Sequence, residues 1–600
     1  MGYLTGLNED SILEMAREDY RSALEARRDI EDRKLRDYRL YRRFNSMLTG
    51  GGLEEDDKGE HGWAKLTVPL VFWITETVLP RLGVDPPKVT VTPRTPEAGP
   101  FAQAAQLRMD RHMKRLWFQD RAIRAIKQFL ILGDSPIKTP WDQTLGGPGM
   151  LVVPWFDWFI SPEALVWDEA EVLFHRTWHT RRSLQDLAAR DARLDEPAYD
   201  HSCLEELADM ATRRDAQDES WAPRREASGF QSEPMYDQQS QVCMVECWYR
   251  DGSRVVIGGM GEHPDKLVRV VEEPAFTDPQ GVPFRPFTVL QNSPDLFTPY
   301  GISDAEMLED HQREVSTLRR QWVDQMTANL NAPIAYDDSR IRAEDVQAGF
   351  GQPNGLIPTN GDPNGMFQRI APGFSSQDFP ALYEMVRSEA QAISGSSDIS
   401  MGQNMYGANN ETATGMSIIA SESNMRYRMK LKLVSIGVQR LACHWHWLDR
   451  ALGSPILGVQ VPTGFQPGQD QLGVAMDRPG FASVSNAGYM EGAEYDIDVD
   501  AGAMAPPGQG EQVQKARSLL MDIMNVASAN PQVAGMVDWP GLLKMQVEAA
   551  GYDPERILVQ QPPAQGVGVP GVPGVALPGA VPPGPPAGPP PVDAPVGAPA

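Results

Sequence analysis

The stretch that most constrains this chain runs from Asn410 to Leu452 (NETATGMSIIASESNMRYRMKLKLVSIGVQRLACHWHWLDRAL). Met416, Ile419, Tyr427, Leu431, Val434, Val438, Leu441, Trp445, Leu448 and Leu452 are separated by three, four or sums of such steps, and Ser423 is the one polar break in the row. That spacing aligns one face of an α-helix. Thr412 or Thr414 suits its N-cap, and no proline follows until Pro455. At ~1.5 Å per residue the helix would be roughly 55 Å long, far beyond the usual three or four turns. Its other faces carry Arg426, Arg428, Lys430, Lys432, Arg440 and Arg450. A helix of that length needs a large surface to lie across, and a small monomeric domain does not offer one.

Composition narrows the function. The 600 residues include 41% apolar side chains and fourteen tryptophans, enough for a sizeable core, and carry a formal charge of −26. A protein that grips DNA by neutralising phosphate presents a basic field, so tight sequence-reading DNA binding does not fit. A surface that repels DNA at close range does fit. Four cysteines are too few for a disulfide framework and point to a reducing compartment. The opening MGYLTGLNEDSILEMARED lacks the basic start and apolar core of a signal peptide. The most apolar run, Leu66 to Val84, is interrupted by Glu76, Arg81 and two prolines, so no membrane span is expected.

In chain order, residues 8 to 48 read as one charged helix. Its basic later half (Arg27, Arg28, Arg33, Lys34, Arg36, Arg39, Arg42, Arg43) is interleaved with acids, which reads as a solvated face laced with ion pairs. Residues 63 to 83 and 101 to 133 have helical patterns around a strand at Lys88 to Thr92. Strands are expected at Met150 to Ile160, Ala164 to Trp167 and Glu171 to Thr180, then a helix at Ser183 to Arg193. Further strands are expected at Gln241 to Arg250, Arg254 to Gly258 and Lys266 to Glu273. A second long helix, Asp304 to Asn331, follows Tyr300-Gly301-Ile302-Ser303, with Ser303 as its cap. Then come a Gly/Pro/Asn/Asp-rich stretch, a third helix at Asp378 to Ser394, and a polar loop leading to the long helix. Beyond Pro455 the pattern predicts a strand pair (456 to 462 and 494 to 499) and helices around 509 to 529 and 539 to 550. Residues 561 to 600 hold one charged side chain, Asp593, and lack a strict Gly-X-Y period, so disorder is expected there.

Chemistry-bearing motifs are sparse. Cys243 and Cys247, on one strand face, would lie about 13 Å apart, too far for a disulfide or one zinc ion. The same holds for His175 and His179. Cys443 and His446, about one helical turn apart, could supply two metal ligands, but core packing is the better reading. No GxxxxGK[ST], GxSxG or HExxH occurs, so the chain is expected to be neither an enzyme nor a nucleotide-driven motor, and no cofactor is expected.

The ordered series of a mixed body, Tyr-Gly-Ile-Ser before a long helix, a Gly/Pro-rich insertion, a returning helix, a polar loop and a very long helix opened by Glu-Thr-Ala-Thr-Gly resembles the portal, or head-to-tail connector, proteins of tailed bacteriophages. The resemblance covers roughly residues 1 to 550. It implies an α+β, portal-like fold. Residues 1–300 would form a mixed α/β wing, with 301–330 and 378–394 as the two stem helices. An α/β clip insertion would occupy 331–377 and a tunnel loop 395–411. The long wing helix would be 412–452, followed by wing return strands (453–508), a short helical crown (509–560) and the disordered Pro/Gly-rich tail (561–600).

The resemblance further implies a ring, normally of twelve copies, at one capsid vertex, through which double-stranded DNA enters and leaves. Met401, Gln403, Asn404, Tyr406, Asn409 and Asn410 would line the DNA channel. Arg340, Arg342, Gln352 and Asn354 in the clip would meet the large terminase subunit and later the neck or adaptor proteins. Major capsid and scaffolding proteins are the other implied partners. Assembly in the host cytoplasm and residence in the virion follow. Two other readings stay open: a different ring-forming neck or adaptor component, and a soluble metalloprotein built on the Cys and His residues.

Overall fold

The structure is a computed structural model. It describes residues 3–42, 66–83, 87–95, 98, 102–142, 146–193, 198–211, 241–260, 263–274, 276–278, 280–330, 334–337, 339, 342, 344, 360, 367–369, 378–394, 413–452, 456–460, 474–478, 481–485, 494–500, 517, 519–521, 523, 524 and 542. The chain divides into two units, Met1–Pro506 and Pro507–Ala600. In the second, the described residues, among them Arg517, Leu519 and Met524, are helical.

The first unit begins with α1 (Glu9–Arg42), α2 (Leu70–Gly83), β1 (Lys88–Pro93), α3 (Ala102–Arg115) and α4 (Phe118–Leu132). Next come β2 (Asp134–Lys138), β3 (Trp141–Asp142), β4 (Gly147–Pro148), β5 (Leu151–Val152), β6 (Trp158–Ile160) and β7 (Val172–Thr180). Two helices, α5 (Arg181–Asp191) and α6 (His201–Met210), precede β8 (Gln241–Tyr249), β9 (Arg254–Met260), β10 (His263–Val271) and β11 (Phe287–Gln291). Then follow α7 (Asp304–Leu330), β12 (Ile334–Tyr336), β13 (Phe367–Arg369), α8 (Asp378–Ser394) and α9 (Ala413–Leu452). The last strands are β14 (Ile456–Gln460), β15 (Val474–Arg478), β16 (Phe481–Ser485) and β17 (Tyr495–Asp500). Helices and antiparallel sheets together make an α+β fold.

The largest sheet is an antiparallel meander in the order β10-β9-β8-β7-β6, and a second runs β11-β2-β5. The second sheet carries α9. At Gly437 a Cβ would stand 2.1 Å from the Leu290 side chain, so the glycine lets the helix backbone approach β11 closely. Leu431, Val434, Val438, Leu441, Trp445 and Leu448 are buried along one face. Each such burial is worth about 1.5–3 kcal/mol relative to exposure, which fixes the helix's rotation. The buried row stops there, since Leu452 is exposed. Asp449 pins the same end to α3, pairing with the Arg108 guanidinium 2.8 Å away, accepting from its Nη2 at 3.3 Å and facing His112 Nε2 at 3.1 Å.

Several expectations need correction. Residues 101 to 133 form two helices, broken at Trp117, whose backbone is left-handed (φ 49°, ψ 48°). Leu116 and Phe118 are both buried, yet residues two apart in a helix point about 200° from each other. The left-handed step lets both enter the core and turns Trp117 outward. Such a step costs a residue with a side chain about 1–2 kcal/mol.

Residues 164 to 167 lie in turns, with Ser161, Ala164, Trp167 and Ala170 buried at every third position. The expected strand at 150 to 160 is split at Pro154 into β5, a 3-10 turn and β6. The strands near 456 and 494 do not pair with each other. β14 joins β16, while β17 joins β1 with Val89 opposite Val499 and Val91 opposite Ile497. Alternation marks a strand but carries no address for its partner.

The basic half of α1 is not wholly solvated. Tyr20, Arg27, Lys34 and Tyr41, spaced by seven, are buried on one face. Arg27 sits 4.4 Å from the Trp155 ring centre and 4.0 Å from that of Phe159, and donates to the Trp155, Phe156 and Trp158 carbonyls. Planar guanidinium chemistry makes that burial tolerable, because ring faces and carbonyl oxygens replace water.

Candidate functional site

The meeting point of the body and the long helices is built from Tyr300, Gly301, Ile302 and Ser303. Tyr300 is buried, and its hydroxyl accepts from the Ile160 amide at 3.2 Å. The Gly301 amide donates to both oxygens of Asp134 at 2.9 and 2.8 Å, and its carbonyl accepts from Lys34 Nζ at 3.0 Å. Opposite it lies Gly133 (φ +86°), where a Cβ would stand 2.2 Å from the Gly301 carbonyl oxygen. The two backbones touch with no room for a side chain.

Ser303 caps α7 in the way its sequence predicts. Its hydroxyl accepts from the Glu306 amide at 2.9 Å and donates to Asp37 at 2.7 Å. Lys34 reaches Glu306 at 3.1 Å and Asp37 at 3.6 Å. Asp304, the first residue of α7, accepts from Asn292 at 2.8 Å and from Lys430 of α9. Burial pushes Asp134 up to about 6 despite the Gly301 amide, and Asp37 up to about 6 despite Lys34 and Ser303. Elements far apart in sequence (α1, β2, α7 and α9) are thus clamped by charge-assisted hydrogen bonds around a single turn.

Beyond this clamp α7 leaves the body. Its buried residues, Asp304, Ala305, Leu308, Gln312, Val315 and Ser316, all lie in the first half. The second half runs beside α8, where Leu318, Arg319, Trp322, Phe379, Pro380, Tyr383 and Glu384 line a groove of about 340 Å³. Apolar side chains stay in contact with solvent along the pair: Met326 is 49% exposed, Leu330 76%, Leu382 42% and Met385 51%. On α9, Met429 (61%) and Ile436 (46%) do the same.

The expected channel residues Met401, Gln403, Asn404, Tyr406, Asn409 and Asn410 lie outside the described residues, as do Arg340, Gln352 and Asn354 of the clip group. Arg342 is described and exposed. Between α7 and α8, β12 pairs antiparallel with β13, Ile334 opposite Arg369.

Several of the described cysteines and histidines sit in packing roles. Cys243 and Cys247 are buried in the meander's core, and burial pushes Cys443 up to about 11. His175 faces Lys138, which pairs with Glu246 at 2.5 Å, and His446 packs edge-on against Tyr495. Among the described residues no cluster of three or more His, Cys, Asp or Glu could hold a metal ion, and no helix is long and apolar enough to cross a membrane.

Residues 138–455, more than half of the chain, match the family model described as Phage SU10 portal protein. The chain belongs to this portal protein family. The match begins at Lys138, at the end of β2, and closes at Pro455, just after α9, so it spans the meander, the Tyr300–Ser303 turn and the helices α7, α8 and α9, whereas Lys34, Asp37 and Asp134 of the clamp precede it. No curated protein matches the chain. Portal proteins are structural rather than catalytic, reside in the virion, and work by self-assembly with capsid, terminase and DNA. For a portal protein, the buried clamp and the solvent-facing half of α7 are the parts that sequence reasoning did not separate. The signal for the clamp was present in the seven-residue spacing of Tyr20, Arg27, Lys34 and Tyr41.

Proposed function

We propose that copies of this portal protein close into a ring, twelve in number, at one vertex of the phage head, and that DNA passes through its bore during packaging and ejection. The observation that carries the reading is the run of exposed apolar side chains on α7, α8 and α9, the elements that the family match spans. A head-to-tail ring covers such faces with the same faces of neighbours. In this arrangement α7 and α8 are the stem, residues 331–377 the clip, 395–411 the tunnel loop, α9 the long wing helix and 509–560 the crown.

The clip, through Arg340, Arg342, Gln352 and Asn354, offers polar contacts to the terminase that supplies ATP hydrolysis and afterwards to neck proteins. The tunnel loop contains no Lys or Arg between residues 395 and 410, so it cannot release counterions by neutralising phosphate and touches DNA only softly. The protein's net charge of −26 supports passage rather than capture. Negative-stain class averages of the purified protein test the reading. Closed rings with an axial hole are expected, whereas isolated single subunits at every concentration would overturn it.

A further inference from the structure

Two surfaces of the wing, neither of them part of the clamp or the stem, complement each other. The first is the corner between α3 and α4. Trp117 is 78% exposed there, and it is the one non-glycine residue with positive φ among the described residues. Glycine takes that backbone without strain, so an indole held out into solvent there is a costly choice. The corner keeps an excess of basic groups: residues 108 to 127 hold seven Lys or Arg and two Asp, and although Arg108 pairs with Asp449, Lys127 with Glu76 and Arg124 with Asp120, Arg111, Lys114, Arg115 and Arg121 outnumber the remaining Asp110. Lys114 is exposed on the turn before Trp117, and the exposed Arg124 pairs with Asp120.

The second surface is the turn segment 161–171 between β6 and β7 (SPEALVWDEAE), which has no Lys or Arg. It presents Leu165 (58% exposed) and Val166 (45%) to solvent, ringed by the exposed acids Glu163, Asp168, Glu169 and Glu171. One surface is thus a basic patch around an aromatic knob, and the other an acidic patch around an aliphatic one.

Both surfaces are fixed to the same part of α9, on different sides. Phe118, next to Trp117, packs edge-on against Trp445 with ring centres 6.0 Å apart. Asp168 pairs with Arg440 at 3.2 Å, and the Arg440 guanidinium lies 4.9 Å from the centre of the Trp167 ring. Residues five apart on a helix are separated by about 7.5 Å along the axis and about 140° around it. The two patches are therefore attached on different sides of α9, a little over one turn apart along it, and a heterologous contact between successive copies joins two such different patches.

We infer that Trp117 of one subunit seats against Leu165 and Val166 of the next, with the basic corner of the first apposed to the acidic segment of the second. This rests on the ring reading above and names one of its interfaces. An exposed tryptophan set among complementary charges is the kind of anchor on which binding energy concentrates, with the charges fixing orientation and partner choice.

The test measures the concentration at which half the subunits are assembled, by light scattering and native mass spectrometry. Trp117→Gly removes the indole and the backbone strain together. It should raise the melting temperature of the dissociated subunit while raising the half-assembly concentration at least tenfold. Lys114→Glu and Glu169→Lys should each weaken assembly, and together should restore it toward the wild-type value. Trp117→Cys combined with Val166→Cys should give ladders of covalently linked subunits on oxidation, which neither single variant gives. If wild-type rings form but Trp117→Gly assembles normally and the paired cysteines give no ladder, the interface is wrong and the ring reading stands. If the wild-type protein forms no rings at any concentration, both fall.

Discussion

Lys430, well inside α9, donates to both carboxylate oxygens of Asp304, the first residue of α7, at 2.6 and 2.5 Å. This one pair ties the longest helix to the start of the helix that leaves the body. Asp304 also sits where the helix dipole favours an anion, so its charge is held from two sides. The pair is mostly but not wholly buried. Lys430→Met should therefore cost about 2 kcal/mol, between surface and fully buried cases. Lys430→Met with Asp304→Asn should cost less than the sum of the single changes, because no unpaired carboxylate is left behind. Denaturant melts of the four proteins measure the coupling.

The close approach of Gly133 and Gly301 makes a sharper prediction. Gly133→Ala places a methyl group against the Gly301 carbonyl and forces a left-handed alanine. Strain and overpacking together should cost roughly 3 kcal/mol. Gly146→Ala shares the positive φ but meets nothing within 4 Å, so it should cost only the backbone strain. Thermal melts of the two variants side by side separate the clash from the strain.

Acid should weaken the fold, and the sign follows from protons bound. Burial holds His175 down to about 4, His444 to about 3 and His446 to about 4. As pH falls below 6.5, the unfolded chain takes up these three protons and the folded chain does not, so stability is lost. Asp37 and Asp134, raised to about 6, act oppositely: the folded state takes their protons first, and stability is gained between pH 6 and 4. His179, Glu246 and Asp449, also held down in the fold, add to the loss, and Asp19 and Asp110, raised by burial, subtract from it. Melting temperature should fall on acidification from pH 6.5 to 4, and His446→Gln should flatten the slope. A rise in stability over that range contradicts the assignment.

How much of this was legible in the chain depends on how local each signal is. The row from Leu431 to Leu448 and the Ser303 cap were readable because helix periodicity and capping act within a few residues. The joining of β17 to β1 was not, since Val89 and Val499 are 410 positions apart and alternation names no partner. β2 (DSPIK) was not among the expected strands and is fully buried, a case of tertiary context overriding propensity. The burial of Arg27 and Lys34 was hidden for a related reason, as part of what replaces water around them is the carbonyls of Trp155, Phe156 and Gly301, which leave no mark in a sequence pattern. The proposed channel and clip residues rest on the family resemblance, with Arg342 the one of them that the structure describes.

The tunnel-loop assignment predicts a separation of assembly from transport. Shortening 395–411 should leave ring formation intact and impair packaging or retention of DNA. Gln403→Lys with Asn404→Lys should slow DNA passage, most at low salt where screening is weakest. Packaging assays at two ionic strengths check this, and normal rates for both variants at both would remove the loop from the bore.

The central claim is that this portal protein works as a closed ring, and native mass spectrometry of the purified protein at micromolar concentration tests it most directly. An assembly of twelve 66.3 kDa chains is the expected species. A stable monomer as the sole species at that concentration would contradict the account.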